Sequence, residues 1–267
     1  NRDVLDLPLF FAFENNLTDN GYNNNWHNIV DASQDVYDDG LANNGSQSVA
    51  FVRSHDEEGA YLTNVAHAYM LTRPGNAAIY FNAREFNADP TLDERPFPHD
   101  GSRDALGGFY GDAVTRLVDI RNTHGRGDFL ERWIDPTFSN YYAFEREGSM
   151  IVGLNSRHGG FGDWDERTIQ TSFDEGTLLV ELTGNAANTT IDTNEGTEWD
   201  IPEVITVGVG GEVTLRVPQN KNGAGVEHGL GYVAYGLATP EGTLWLSNVS
   251  ATLSGDAATA ANNPTNR

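Results

Sequence analysis

The chain of 267 residues contains no cysteine. This absence excludes disulfide frameworks, thiol catalysis and cysteine-based zinc sites, so redox chemistry does not indicate a compartment. No apolar run approaches the ~20 residues that a membrane-spanning helix requires, and no secretory signal opens the sequence. What remains is a chain long enough to bury a substantial hydrophobic core, in one large domain or in two smaller ones.

Basic residues are scarce as well. Lys and Arg together number 16, against 39 Asp and Glu, and the formal net charge is −23. A surface of this charge repels phosphate backbones and anionic lipids, so we expect neither a nucleic-acid partner nor a membrane partner. The charge suits a neutral substrate and a protein that stays soluble in high salt or outside the cell, and we expect an extracellular or periplasmic location. Solvation of the surface alone is the simpler explanation of the same charge.

Two patterns meet near Asp135-Pro136. Before this point, segments with helical spacing alternate with short β-rich runs of low charge, which is typical of strands buried on both faces. The helix that follows the first strand is expected to stop at Arg73-Pro74-Gly75. The predicted elements are helices over 7–17, 26–37, 61–72 and 104–122 and strands over 48–54 and 77–81.

This order of strand, helix, strand and helix predicts the βα units of a parallel sheet. Two such units cannot close a barrel, because eight strands are needed to bury the inner faces. We therefore expect the preceding strands to belong to the same parent polypeptide or to be supplied by a partner. Asn1 is no natural initiator, which agrees with a processed or truncated start.

After residue 136, short β-rich runs separated by Gly, Asn and Asp predict an antiparallel Greek-key β-sandwich. Gly148 is predicted in a tight turn, and Gly210-Gly211 is predicted to form a hairpin turn. The predicted strands are 141–146, 150–155, 168–173, 178–182, 204–207, 212–217 and 231–235, with another at 243–246.

Specific motifs then point to a family. The run FVRSHD at 51–56 resembles the motif of the seventh barrel strand in the alpha-amylase family, Phe-Val-x-Asn-His-Asp. The segment 64–81 is similar to the family's next helix, its Pro-Gly turn and its eighth strand, and LDLPLFF at 5–11 is similar to the segment after the sixth strand. AFER at 143–146, leading into VGLN at 152–155, resembles the family's sandwich domain. The resemblance covers about residues 3–240.

The resemblance implies an α/β plus all-β chain: the C-terminal portion of a (β/α)8 TIM barrel, followed by an antiparallel Greek-key β-sandwich. Residues 1–135 would carry barrel strands 7 and 8 with their flanking helices, 136–254 the sandwich, and 255–267 a flexible tail. The family's nucleophilic Asp and acid/base Glu would precede Asn1. The missing N-terminal barrel segment of the same parent chain is therefore an expected partner, and the chain by itself is expected to be inactive.

Active sites of barrel enzymes lie at the carboxyl ends of the strands, where His55 and Asp56 follow a run with little charge. By resemblance, Asp56 is the third carboxylate of the site, which stabilises the transition state through hydrogen bonds from sugar hydroxyls. His55 would donate to a hydroxyl of the same sugar. The alternative is that both residues only cap the next helix.

Further candidates for substrate contact are Arg53, from the same motif, and Glu57 and Glu85. For the acidic residues beside the site, which include Glu58, the alternatives are solvated loop charge and calcium ligation. The chain departs from the family at Ser54, which replaces an Asn, and after the eighth strand, where NARE at 82–85 replaces Gly-x-Glu. The sequence indicates no cofactor other than the calcium ion that these acidic residues could bind.

Each of three further groups of residues allows a structural and a functional interpretation. Asp163, Asp165 and Glu166 could bind calcium or form a charged turn. The tryptophans at 133, 164, 199 and 245 could stack on sugars or fill a core. The histidines have no metal-ligand spacing, so no metal site is predicted and a surface or packing role is expected for His27, His67, His99, His124, His158 and His228.

The function implied by the resemblance is action on α-1,4-glucan polysaccharides or oligosaccharides, by retaining hydrolysis or by transfer. The alternative is a non-catalytic amylase-like protein that binds carbohydrate or takes part in an extracellular assembly. A free-standing sandwich module is a third interpretation, but it leaves the first 135 residues unexplained.

Overall fold

The computed structural model describes residues 4–18, 21, 23–32, 48–54, 59–79, 108–159, 163–189, 191–194, 196–220 and 230–238. The amino-terminal part alternates short strands with helices. Its elements are β1 (Val4–Leu5), α1 (Leu7–Asn16), α2 (Trp26–Ala32), β2 (Ser48–Phe51), α3 (Thr63–Thr72), β3 (Asn76–Ala78) and α4 (Gly108–His124).

The three strands of this part form one parallel sheet in the order β1-β2-β3. Val4 lies opposite Ser48, and Val49 lies opposite Asn76. The predicted parallel sheet is confirmed, with β1 as a strand that the sequence pattern did not predict because only two residues pair. Each strand is followed by helix before the next strand begins, as parallel pairing requires.

Local chemistry explains where the first helices begin and end. Asp6 caps α1: its carboxylate accepts a hydrogen bond from the Leu9 backbone N–H at 3.1 Å, and Pro8 lies in the first turn. Helix α3 ends at Arg73, whose backbone is extended, because the following Pro74 disfavours helical geometry there. The predicted stop at 73–75 is confirmed.

The second part consists of antiparallel strands in two sheets. A six-stranded sheet has the order β4-β5-β6-β11-β8-β9, and β7 pairs with β10 in a two-stranded ribbon. The strands are β4 (Phe129–Ile134), β5 (Tyr141–Arg146), β6 (Met150–Asn155), β7 (Trp164–Gln170), β8 (Leu178–Glu181), β9 (Val204–Thr206), β10 (Glu212–Pro218) and β11 (Tyr232–Gly236).

The six-stranded sheet lies between two hydrophobic cores of the described residues. Along β5, Tyr142 and Phe144 face a core that includes Trp26 and the helices α3 and α4. The alternate residues Tyr141 and Ala143 face a second core, shared with the ribbon. Because side chains alternate between the faces of a strand, β5 and β6 are buried at every residue.

Hydrogen bonds also connect the helical part to the sheet. Asn24 donates to the Ser156 carbonyl at 2.8 Å, the Trp26 indole donates to the Asn140 carbonyl at 3.1 Å, and Arg146 donates to the Thr72 carbonyl at 3.2 Å. The predicted division into 1–135, 136–254 and 255–267 stays a prediction, and its last segment lies outside the described residues. No helix in the described ranges is long and apolar enough to cross a membrane.

The structure corrects three details of the second part. The Gly210-Gly211 turn is present, but the predicted hairpin is wrong: β9 pairs with β8 and β10 pairs with β7, so the turn carries the chain between sheets. Strand β7 begins at Trp164 and ends at Gln170, which places Asp165 and Glu166 on a strand and not in a charged turn. Strand β4, which pairs with β5, was not predicted.

The remaining predicted elements agree with the structure where it describes them. Strands β5 and β6 have the predicted bounds, and helix α4 and strands β8, β9, β10 and β11 lie within two residues of theirs at each end that the structure describes. The predicted strand at 243–246 and the ends of the predicted elements at 33–37, 80–81 and 104–107 lie outside the described residues.

Candidate functional site

The carboxyl ends of parallel strands lie at one edge of a sheet, and this edge is where α/β proteins bind ligands. Here the edge carries Asp6 after β1, Val52 to Ser54 after β2, and Ile79 after β3. Arg53, predicted as a substrate contact, is half-buried at this edge. His55, Asp56, Glu57 and Glu85 lie outside the described residues, and their roles stay predictions.

The chain returns to the end of β2 at Gly59. Its φ is +72°, and a Cβ added there would overlap the carbonyl oxygen of Val52 and lie 3.2 Å from Cγ of Arg53. Val52 and Ala60 are fully buried, and the Thr63 hydroxyl donates to the Ala60 carbonyl at 2.7 Å. Gly59 is therefore packed tightly against the residues that directly follow β2.

We expect Gly59→Ala to destabilise the protein more than the same substitution at another glycine with positive φ. Left-handed backbone geometry costs an alanine about 1–2 kcal/mol, and at Gly59 the overlap with the Val52 carbonyl adds to this. Gly176→Ala is the matched control, because Gly176 has φ +83° and open space where the Cβ would lie. Urea unfolding should show the larger loss for Gly59→Ala, and equal losses would contradict the tight contact.

Asp6 is a carboxylate at this edge whose structural role was not predicted from the sequence. It is buried, its Oδ1 accepts from Leu9 and its Oδ2 accepts from the Ser48 hydroxyl at 3.3 Å. The signal in the sequence was an Asp directly before Leu-Pro at a helix start. Its hydrogen bonds make Asp6 a cap and a strand connector.

Glu181 is a buried carboxylate remote in sequence from this edge. Burial raises its pKa, and hydrogen bonds from Thr183, Ala234 and Gly184 oppose that shift. The shortest of them come from the Thr183 hydroxyl at 2.6 Å and the Gly184 N–H at 2.7 Å. Because its acceptor sites are occupied by the protein's own donors, Glu181 holds the strand end in place.

The described histidines contact backbone carbonyls, as a packing role predicts. His27 contacts the Asp135 carbonyl, His124 the Leu237 carbonyl at 2.8 Å, and His158 the Thr18 carbonyl at 2.8 Å. No group of three or more metal-ligating side chains occurs within the described ranges. The histidines at 55, 99 and 228 lie outside them.

The acidic residues on β7 are paired with arginines. Arg157 donates to Asp165 at 2.9 Å, and Arg216 donates to Glu166 at 2.7 Å. The other carboxylate oxygen of Asp165 accepts from the Asn155 amide at 2.9 Å. These pairs explain how two adjacent acids are accommodated in a strand.

The tryptophans have different environments. Trp133 is half-buried with the Arg167 guanidinium 5.5 Å from its ring centroid. Trp164 and Trp199 stack with centroids 6.1 Å apart, and Trp199 is 56% exposed. Trp245 lies outside the described residues.

The fold is similar to that of part of several solved alpha-amylases. An alpha-amylase from Geobacillus thermoleovorans in complex with acarbose matches with a TM-score of 0.56 and 12% identity, over 87% of this chain and 47% of that chain. Alpha-amylase I from Eisenia fetida matches with a TM-score of 0.55 and 17% identity, over 89% of this chain and 49% of that chain. An Anoxybacillus alpha-amylase matches with a TM-score of 0.56 and 13% identity, over 88% and 47%.

The chain spans about half the length of the solved structures that it matches. No protein-family model matches the chain, and no curated protein matches it significantly. At 12–17% identity, the likeness concerns the fold. The resemblance to the alpha-amylases seen in the sequence is confirmed at that level.

Proposed function

We propose that this chain is the C-terminal part of an alpha-amylase-family glycoside hydrolase that acts on α-1,4-glucans by retaining hydrolysis or transfer. In this proposal, β2 and β3 are the seventh and eighth strands of a (β/α)8 barrel, β1 is the sixth, and the antiparallel sheets form a Greek-key sandwich. The observation that carries the proposal is the parallel sheet whose middle strand, β2, runs directly into the FVRSHD motif, in a chain with an alpha-amylase fold.

The edge of the parallel sheet at β1 supports an upstream barrel segment as partner. Leu5, Leu7 and Phe11 are 58%, 49% and 49% exposed, on β1 and on the helix that follows it. Exposed apolar side chains beside an edge strand are typical of a surface that another element covers. A preceding strand and helix of the same parent chain would cover them.

The chemistry follows from the motif. Retaining hydrolysis needs a nucleophile and an acid/base about 5.5 Å apart, which the upstream segment would supply. Asp56 would accept hydrogen bonds from hydroxyls of the sugar that becomes oxocarbenium-like, and His55 would donate to the same sugar. Both interactions strengthen toward the transition state. Arg53, Glu57 and Glu85 would contribute further substrate contacts.

The location belongs to the same proposal. A formal net charge of −23 keeps the surface solvated and does not repel a neutral glucan. We propose that the protein acts outside the cytoplasm, in an extracellular or periplasmic space where polysaccharide substrates are found.

The proposed function is tested with the parent protein, which includes the upstream segment, and with the 267-residue chain as its comparison. The parent should cleave or rearrange maltoheptaose and soluble starch, and NMR of the first products should show the α-anomer that retention requires. The 267-residue chain should be inactive. A parent that leaves every α-glucan unchanged, or products with inverted configuration, would contradict the proposal, and binding without turnover would support the non-catalytic alternative.

A further inference from the structure

The structure presents an aromatic ring to solvent at Trp199. Its side chain is 56% exposed, which makes it the most exposed tryptophan in the described part of the chain. Leaving this much apolar surface in water is unfavourable compared with burial. A flat exposed indole on a fixed backbone is suited to stacking against a ligand.

The backbone of Trp199 is held on both sides of its Cα. The Trp164 indole N–H donates to the Trp199 carbonyl at 2.8 Å, and the Trp199 N–H donates to the Thr197 hydroxyl at 3.1 Å. The Trp164 ring also stacks on Trp199, with planes 29° apart. The exposed ring is therefore preorganised, and a ligand would lose little free energy in ordering it.

Arg216 stabilises the same loop from the ribbon. It donates to the carbonyls of Glu198 at 2.8 Å and Asp200 at 2.7 Å, the residues on either side of Trp199. Its guanidinium also lies 4.4 Å from the ring centroid of Trp164. Arg216 is therefore engaged with Glu166 and with the backbone on both sides of Trp199.

The outer face of the ribbon continues from Trp164 as a row of polar side chains. Strand β7 has seven residues, which corresponds to a length of about 20 Å. A cleft of about 420 Å³ borders this face between the ribbon and β9. The row consists of three cross-strand pairs: Glu166 with Arg216 at 2.7 Å, Thr168 with Thr214 at 2.8 Å, and Gln170 with Glu212 at 2.9 Å.

We propose that Trp199 and the outer face of the β7–β10 ribbon form a binding site for a neutral, linear glycan. The CH face of a pyranose would stack on the Trp199 ring, and its hydroxyls would donate to the exposed Thr197 and Glu198 and to the polar row. The net charge of −23 disfavours an anionic ligand. A single exposed ring among polar groups is also less apolar than the centre of a protein interface. The choice of an α-1,4-glucan rests on the proposed function.

The test measures binding of maltoheptaose to the full 267-residue chain by calorimetry, and its mobility in gels that contain amylose. Trp199→Ala should weaken binding roughly tenfold, because the stacking surface is lost. Trp199→Tyr should retain most of the affinity. Val209→Ser is the matched control: Val209 is 76% exposed and lies outside the proposed site, so its loss should leave binding unchanged. Thermal unfolding of each variant shows whether the fold is intact.

Equal affinity of wild type and Trp199→Ala would overturn the proposal, as would an absence of maltoheptaose binding by the wild type. Self-association that Trp199→Ala abolishes would identify a second copy as the occupant and would also overturn it. The proposed function is tested separately: Asp56→Asn should lower kcat/KM for glucan cleavage by the parent on the order of 10²- to 10³-fold and leave binding at Trp199 unchanged. A parent without activity whose 267-residue chain still binds maltoheptaose through Trp199 would support the site and contradict the enzyme.

Discussion

Replacing Asp56 by Asn in the parent protein should lower kcat/KM for α-1,4-glucan cleavage on the order of 10²- to 10³-fold. Hydrogen bonds from sugar hydroxyls to a carboxylate strengthen as the ring becomes oxocarbenium-like and contribute several kcal/mol. Each 1.36 kcal/mol of lost transition-state stabilisation is a factor of about ten in rate. Because the interaction is made mainly in the transition state, kcat should fall together with kcat/KM.

The same substitution separates the functional role of Asp56 from a helix cap. Asn is as good a cap as Asp, so the variant should keep the thermal midpoint of the wild type in either case. Glu175→Gln, at an exposed acid in the turn before β8, is the control and should keep full activity. An Asp56→Asn parent that cleaves glucan at the wild-type rate would leave only the capping role.

Removing the carboxylate of Glu145 should destabilise the fold by about 3 kcal/mol, which corresponds to roughly 10 °C in Tm. The Glu145 side chain is fully buried and pairs with Arg132 at 2.6 Å. It also accepts from the Ser172 N–H at 3.0 Å and hydroxyl and from the Gly148 N–H at 3.4 Å. Glu145→Ala leaves these donors without an acceptor, and a half-buried Arg132 without its partner.

Urea unfolding of Glu145→Ala and Glu147→Ala measures this effect. Glu147 is exposed two residues away, and its loss should change the free energy of unfolding by less than about 0.5 kcal/mol. A double variant that replaces Arg132 and Glu145 by Met should recover part of the loss, because it removes the unpaired charge. A loss below 1 kcal/mol in Glu145→Ala would show that solvent reaches the donors.

Much of the fold could be predicted from short-range patterns. Strands β5 and β6 have the predicted bounds because each is a β-rich run on either side of the turn at Gly148. Helix α3 ends at Arg73, as the following Pro74 predicts. At the candidate site, the predicted strand at 48–54 is present in the parallel sheet but ends at Phe51, so Arg53 lies two residues beyond it.

The errors have a common physical origin. Two residues of β1 are too few for a periodic signal, and β4 has no alternation because all its residues are half-buried or exposed. The Gly210-Gly211 pair indicates a turn, but a turn does not specify whether the flanking strands pair with each other. Pairing partners are chosen by burial over the whole chain.

The sequence by itself determined that helices alternate with strands in the first part of the chain and that antiparallel strands follow, because periodicity and turn residues act over a few positions. Only the tertiary structure decided that the six-stranded sheet is covered on both faces and that β7 and β10 form a separate ribbon. It likewise brought Trp164 to Trp199 and Ser172 to Glu145. These contacts join residues 35 and 27 positions apart, and burial of a shared core, rather than local preference, brings such residues together.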